Sequence, residues 1–164
     1  MADFTITKGY MPGAIGRVVE MHGDYYARHW GFGLFFEAQG ARQMADFLSR
    51  YDEKRDGFWT ASLARRAEGS IAIDGLRAAS EGAHLRWFIV SEELHGRGIG
   101  GALLSNAVDF CRSNGYGRIY LWTFEGLAAA RRLYERAGFG LVEQRKGTQW
   151  GKEVNEQRFE LQLP

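Results

Sequence analysis

The chain has 164 residues, of which 45% are hydrophobic and 25% charged, and its formal net charge is +1. That length suits one domain with a real core, and the composition is that of a soluble globular protein. The near-zero charge argues against a nucleic-acid surface, since the 21 basic residues are scattered, with only short pairs such as Arg65-Arg66 and Arg131-Arg132. A single cysteine, Cys111, excludes an intramolecular disulfide and a cysteine-based zinc cluster, so no metal is expected. No apolar run has the length of a membrane span, and the start of the chain lacks a secretory signal pattern; a cytoplasmic protein is expected.

Residues 3–8 alternate apolar and polar and predict a short strand. Pro12 suits the first turn of a helix, and Ile15, Val18, Val19, His22, Tyr25 and Tyr26 then recur at helical spacing over about 14–29. Gly31 and Gly33 interrupt the pattern before a second helix over about 34–50, with Phe35, Phe36, Met44, Phe47 and Leu48 as its inner face. From Phe58 the period changes: 58–64 reads as a strand, Glu68-Gly69 as a tight turn and 70–76 as the return strand. Residues 83–90 form a strand whose end is continuously apolar, as in a central strand. A helix over about 99–114 places Ile99, Leu103, Leu104, Ala107, Val108 and Cys111 on one face and ends at Asn114-Gly115. A strand at 118–124, a helix over about 126–137 stopped by Gly138, and strands near 139–149 and 153–163 complete the chain. No repeat, linker or low-complexity stretch divides it, so a single domain over 1–164 is expected. The order is mixed α/β: a mostly antiparallel sheet of about seven strands flanked by about four helices.

Four glycines, Gly96, Gly98, Gly100 and Gly101, fall within six residues between a buried strand and a helix. Glycine lets a ligand approach the backbone, and the unpaired N–H groups of a helix start suit a phosphate or pyrophosphate; Arg97 adds a side-chain cation. Gly96-x-Gly98-x-x-Gly101 also fits the dinucleotide fingerprint, with Glu125 at the end of the next strand. Against a dehydrogenase, the polar stretch Ser91-Glu92-Glu93-Leu94-His95 separates strand from loop, and there are too few βαβ units for a doubly wound sheet. No Gly-Lys-Ser/Thr follows, which excludes a P-loop.

The stretch Val90-Ser91-Glu92-Glu93-Leu94-His95-Gly96-Arg97-Gly98-Ile99-Gly100-Gly101-Ala102-Leu103-Leu104 resembles the acyl-CoA loop of GNAT acetyltransferases. Ala129-Ala130-Arg131-Arg132-Leu133-Tyr134-Glu135-Arg136-Ala137-Gly138-Phe139 resembles the later helix of the same family, in the right order and at the right separation. A nearer resemblance is to the acetyltransferase half of proteins that fuse a MarR-type regulator to a GNAT domain. It is carried by His22-Gly23-Asp24-Tyr25-Tyr26-Ala27, Leu85-Arg86-Trp87-Phe88, Leu121-Trp122-Thr123 and Trp150-Gly151-Lys152-Glu153. The DNA-binding half has no counterpart in this sequence, and a free-standing enzyme is expected.

The resemblance implies a GNAT fold and an acetyl-CoA-dependent N-acetyltransferase with acetyl-CoA as cosubstrate, and the aromatic residues near the acceptor segment favour a small-molecule or amino-acid-like amine as acceptor. It assigns cofactor binding to the strand end Phe88, Ile89 and Val90, to the loop His95, Gly96, Arg97, Gly98, Ile99, Gly100, Gly101 and Ala102, and to Ala129 and Ala130. Tyr134 falls at the family position of the general acid for the leaving thiolate, although its periodicity with Leu127, Ala130 and Ala137 equally describes a core tyrosine. His84 lies near the position where some relatives carry a glutamate base, with Glu81 and Glu125 as weaker candidates. Two departures stand out: His95 replaces the family's usual Arg or Gln, and Leu127 replaces an asparagine that holds the pantetheine arm.

The acceptor site is expected between the first strand and the hairpin, where Tyr25 and Tyr26, with Trp87 and Trp122, wall a small apolar pocket. Nucleic acid and membrane partners are not expected, and family habit suggests a homodimer. The alternative is a non-catalytic acyl-CoA sensor or interaction module with the same fold. Cys111, on the inner face of its helix, reads as packing.

Overall fold

The computed structural model describes residues 3–164. The order of elements is β1 (Thr5–Lys8), α1 (Ala14–Trp30), α2 (Leu34–Ser49), β2 (Gly57–Leu63), β3 (Arg66–Asp74) and β4 (Ala83–Val90), then a 3-10 turn (Glu92–Leu94). It continues with α3 (Ile99–Ser113), β5 (Arg118–Phe124), α4 (Ala128–Arg136), β6 (Gly140–Gly147) and β7 (Val154–Gln162). Seven strands make one sheet in the order β1-β2-β3-β4-β5-β7-β6. Only β4 and β5 are parallel; the other neighbours are antiparallel. This is the mixed α/β fold expected from the sequence, and a sheet with one parallel pair excludes the doubly wound dinucleotide fold.

Period-2 alternation divides the strand residues between two cores. Phe58 and Ala72 pack with Val18 and Met21 of α1 and Met44 and Phe47 of α2 on one face. Their neighbours Trp59, Ile71 and Ile73 point the other way, to Leu103, Leu104 and Ala107 of α3 and to Tyr134 and Phe139. Cys111 is fully buried in this second core and burial pushes its thiol up to about 12, so it packs and stays protonated.

Three local expectations are corrected. The β2–β3 turn lies at Ala64-Arg65, both with positive φ (47° and 68°), not at Glu68-Gly69. Gly69 sits inside β3 because a Cβ there would meet Leu103 Cδ1 at 3.1 Å and the Ile89 carbonyl at 3.3 Å; it is small for α3, not for a turn. On α2, Met44 and Phe47 are buried, but Phe35, in the first turn of the helix, is 57% exposed. Pro12 precedes α1 in a turn, and Gly13, at φ 88°, is the residue that opens the helix.

Candidate functional site

The central strand β4 departs from regular pairing on both edges. Toward β3, Ser70 faces Ile89 and Ala72 faces Arg86, so Trp87 and Phe88 together oppose Ile71. This is a β-bulge, with Trp87 at φ 48° and its carbonyl accepting the Ser70 hydroxyl at 2.7 Å. The bulge reassigns the faces: Leu85 and Phe88, three residues apart, both pack toward α3, while Trp87 and Ile89 pack toward α1 and α2. Toward β5, pairing is confined to Ala83 with Ile119 and His84 with Tyr120, although both strands run on. Beyond that point they part. The inner edge of β4 over residues 85–90 is left without a strand partner, and its backbone N–H and C=O groups face a cleft.

The glycine loop closes one end of this cleft. Gly96 and Gly98 have φ 83° and 81°, a left-handed conformation that side chains resist, and Gly98 is the N-cap of α3. The first intrahelical bond is Ala102 N–H to the Gly98 carbonyl, at 3.0 Å. The amides of Ile99, Gly100 and Gly101 precede it and are the free donors, with no side-chain cap and no acid in the first turn. The expectation is thereby refined: the Ala102 amide is spent within the helix, and the Ile99 side chain is core, so only its amide serves the loop. Gly100 has a packing role, since a Cβ there would meet Leu133 Cδ1 at 3.0 Å. Gly101 has nothing within 4 Å of where its Cβ would be.

His95 does something other than expected. Its Nε2 lies 2.9 Å from the Val90 carbonyl, which can only accept, so the ring donates there and ties the loop to the end of β4. A side-chain contact to a pyrophosphate is replaced by a loop tie. Arg97 is exposed at the tip of the loop.

A cavity of about 400 Å³ opens between α1, α2, β4, β5 and α4. Tyr134 of α4 borders it, 5% exposed, with its ring against Phe88 (5.9 Å), Phe139 (5.8 Å) and Phe159 (6.0 Å). Burial, with Tyr26 nearby, pushes the Tyr134 phenol well above its usual range and keeps it protonated. Ala130 and Leu127 also border the cavity, whereas Ala129 is exposed beside it. Of the four aromatic residues expected to wall the acceptor pocket, Tyr26, Trp87 and Trp122 do so. Tyr25 does not. It turns outward from α1 against His29 (4.6 Å), beside the pairs that Arg28 (2.7 Å) and His29 (2.9 Å) make with Glu92. Those pairs clamp α1 to the connection that leads into the glycine loop.

Two histidines reach the cavity. His84 stacks on Tyr120 (4.5 Å, 13° between planes), and burial, helped by the Arg86 and Arg158 guanidiniums, pushes it down to about 3. His22, which nothing in the sequence marks as a site residue, is pushed down to about 4 by burial, opposed by its hydrogen bond to Val18. Its Nδ1 lies 2.8 Å from the Val18 carbonyl and must carry the proton, leaving Nε2 as the bare nitrogen. Both rings are neutral near pH 7. Neither is a strong base, which removes the physical advantage expected of His84. Glu81 pairs with Arg77 on the surface and Glu125 binds Asn155; neither borders the cavity.

The depressed values have a stability consequence. Both folded values lie below 6.5, so the unfolded chain takes up these protons first; the stabilisation is complete above about pH 6.5 and is lost as pH falls toward 4 and 3. His84→Phe, which keeps a ring on Tyr120, is expected to flatten the fall in urea-unfolding free energy between about pH 7 and pH 5 by up to one proton's worth. An unchanged slope would show that His84 is not held neutral by the fold.

Residues missed in the sequence are the polar ones contributed by separate elements: His22, Glu37 and Gln43 from the helices, Arg86 from β4 beside the bulge and Gln149 from the β6–β7 loop. For Arg86 a signal existed, a charged residue inside an otherwise apolar central strand.

Residues 18–139 match the model of the Acetyltransferase (GNAT) family. The chain is 28% identical over 129 residues to an uncharacterized N-acetyltransferase of Methanocaldococcus jannaschii, covering 75% of this chain and 56% of that protein. It is 26% identical over 140 residues to N-acetylaspartate synthetase of Danio rerio, covering 85% and 49%. The chain thus spans about half the length of these curated relatives. Among solved structures, an acetyltransferase of the GNAT family from Staphylococcus aureus Mu50 superposes with a TM-score of 0.75 at 17% identity, covering 99% of this chain and 100% of that one. YncA from Salmonella typhimurium, solved with its cofactor acetyl-CoA, gives 0.73 at 18% identity, covering 97% and 94%. With the family match spanning most of its length and the fold agreeing throughout, the chain belongs to the GNAT acetyltransferase family.

Proposed function

We propose that the protein transfers the acetyl group of acetyl-CoA to the primary amine of a small molecule. The observation that carries this reading is the unpaired inner edge of β4, which has free helix amides at one end and Tyr134 across the cleft. These residues fit the cofactor. The edge over residues 85–90 supports an amide-bearing pantetheine arm laid along it as an added strand. The amides of Ile99, Gly100 and Gly101, with the open surface over Gly101, suit a pyrophosphate. Leu127, at the start of α4, offers that arm an apolar contact where the family carries an asparagine.

The bound cofactor supplies an activated acyl thioester. Backbone N–H groups of β4 beside the bulge polarise the acyl carbonyl, and the protonated Tyr134 hydroxyl donates to the departing sulfur. The amine's proton leaves toward the cavity mouth, because neither His22 nor His84 is basic enough to hold it near pH 7. The cavity's size and its aromatic wall favour a small acceptor over a protein tail.

The test is a panel of small primary amines assayed for free CoA release, alongside thermal shift with acetyl-CoA. The expected result is a rise in Tm with acetyl-CoA and amine-dependent CoA release. No thermal shift removes the cofactor assignment; a shift without release on any amine leaves only an acyl-CoA-binding module.

A further inference from the structure

The cavity wall carries an unusual cation. Among the described residues that border the cavity, Arg86 and Glu37 are the two with charged side chains near pH 7. Glu37 is exposed at the first turn of α2 and its charge is screened by water. Arg86 is not: its side chain is 19% exposed, and burial pulls its guanidinium below the usual arginine range.

The guanidinium is fixed but poorly neutralised. It stacks on Trp87 at 4.1 Å, an arrangement that the bulge creates by turning Trp87 to the cavity side that Arg86 already faces. Its Nη2 donates to Gln43 Oε1 at 2.7 Å, a neutral partner. The nearest carboxylate, Asp74, is 4.0 Å from Nη1 and is already committed. Arg50 grips Asp74 with two bonds of 3.1 and 2.6 Å, and the Leu76 amide adds a third at 3.1 Å. One acid therefore serves two guanidiniums. A guanidinium has five N–H donors in a fixed fork, and here one of them has a protein acceptor. The other polar side chains on the wall (His22, His84, Gln39, Gln43, Thr123, Gln149) are neutral, so among the described residues only the exposed Glu37 opposes the charge there.

A half-neutralised, desolvated fork beside an acceptor cavity is complementary to a planar anion. We propose that the acceptor is an amine that also bears a carboxylate, an amino-acid-type molecule, and that Arg86 is the residue that binds this carboxylate. This rests on the acyltransferase reading above and names the substrate class of the same site. Among the described residues the wall holds a single, largely buried cation, which matches one negative charge better than the two of a phosphate. The same cation repels polyamines and other acceptors whose remaining charge is positive. The aromatic residues Phe36, Trp87, Trp122 and Trp150 leave an apolar wall for the acceptor's side chain.

The experiment measures CoA release with L-amino acids, each paired with its carboxamide, for the native chain, Arg86→Gln and Arg86→Lys. In the native chain the ratio of kcat/KM, acid over amide, is expected to reach about 100 for the best amino acid. In Arg86→Gln that ratio collapses to within a few-fold of unity, mainly through KM of the acid, and Arg86→Lys restores part of it. A purely structural arginine lowers both rates together and leaves the ratio intact, which would overturn the proposal. So would turnover of the amides and simple amines at the rate of the acids, or failure of every acid while acetyl-CoA still raises Tm. Failure of acetyl-CoA to raise Tm at all points instead to the acyltransferase reading. Thermal unfolding of both variants, each expected to fold cooperatively, confirms that the ratios come from native protein.

Discussion

Tyr134→Phe is expected to lower kcat about 100-fold while leaving acetyl-CoA binding and thermal stability nearly unchanged. The ring is held by Phe88, Phe139 and Phe159, and phenylalanine keeps all of those contacts. What it removes is one hydroxyl at the cavity wall. That hydroxyl is protonated across any practical assay range, because burial raises its pKa; it acts as a donor and never as the base. Its loss therefore withdraws a proton or hydrogen bond from the departing thiolate and nothing from the ground state, so kcat falls and KM for acetyl-CoA does not. The pH profile of the native chain follows from the same reasoning. Activity rises with the free-amine fraction of the acceptor and shows no histidine inflection near 6.5, since His22 and His84 titrate near 4 and 3. Equal turnover by Tyr134→Phe over that range would end the proton-donor assignment.

A second substitution separates binding from stability. Gly101→Leu is expected to stabilise the protein by up to about 1 kcal/mol and yet raise KM for acetyl-CoA at least about 10-fold. Gly101 is the third residue of α3, exposed, with ordinary helical φ and nothing near its Cβ position. Folding has no need for glycine there, and a better helix former at an open site lowers the entropy cost of ordering the helix. A ligand held by the free amides at the helix start does need the space. Gly100 is the internal control: Gly100→Leu collides with Leu133 and loses stability and activity together. If Gly101→Leu is more stable and binds acetyl-CoA as before, the pyrophosphate lies elsewhere.

The two glycines show how far a sequence can be read. Four glycines before a helix pointed to an anion site, but they have three different roles: backbone conformation at Gly96 and Gly98, close packing at Gly100, and open approach at Gly101. The hairpin shows the same limit. Gly69 carried the turn signal, yet its smallness serves α3, while the turn is made by Ala64 and Arg65, which carry no such signal. The motif places His95 at the pyrophosphate, whereas its ring is held by the Val90 carbonyl.

By itself the sequence determined the order and type of the helices and strands, the buried face of α3 and the position of the glycine loop. These follow from hydrophobic periodicity and helix-end chemistry, which act between residues a few positions apart. Only the tertiary structure decided which polar groups meet. The bulge turns Trp87 onto the cavity face beside Arg86, the parting of β4 from β5 opens the edge, and the packing of α1 brings His22 inward while turning Tyr25 out. Each of these depends on contacts between elements distant in sequence, where one residue's shift in register moves a side chain from one face of the sheet to the other.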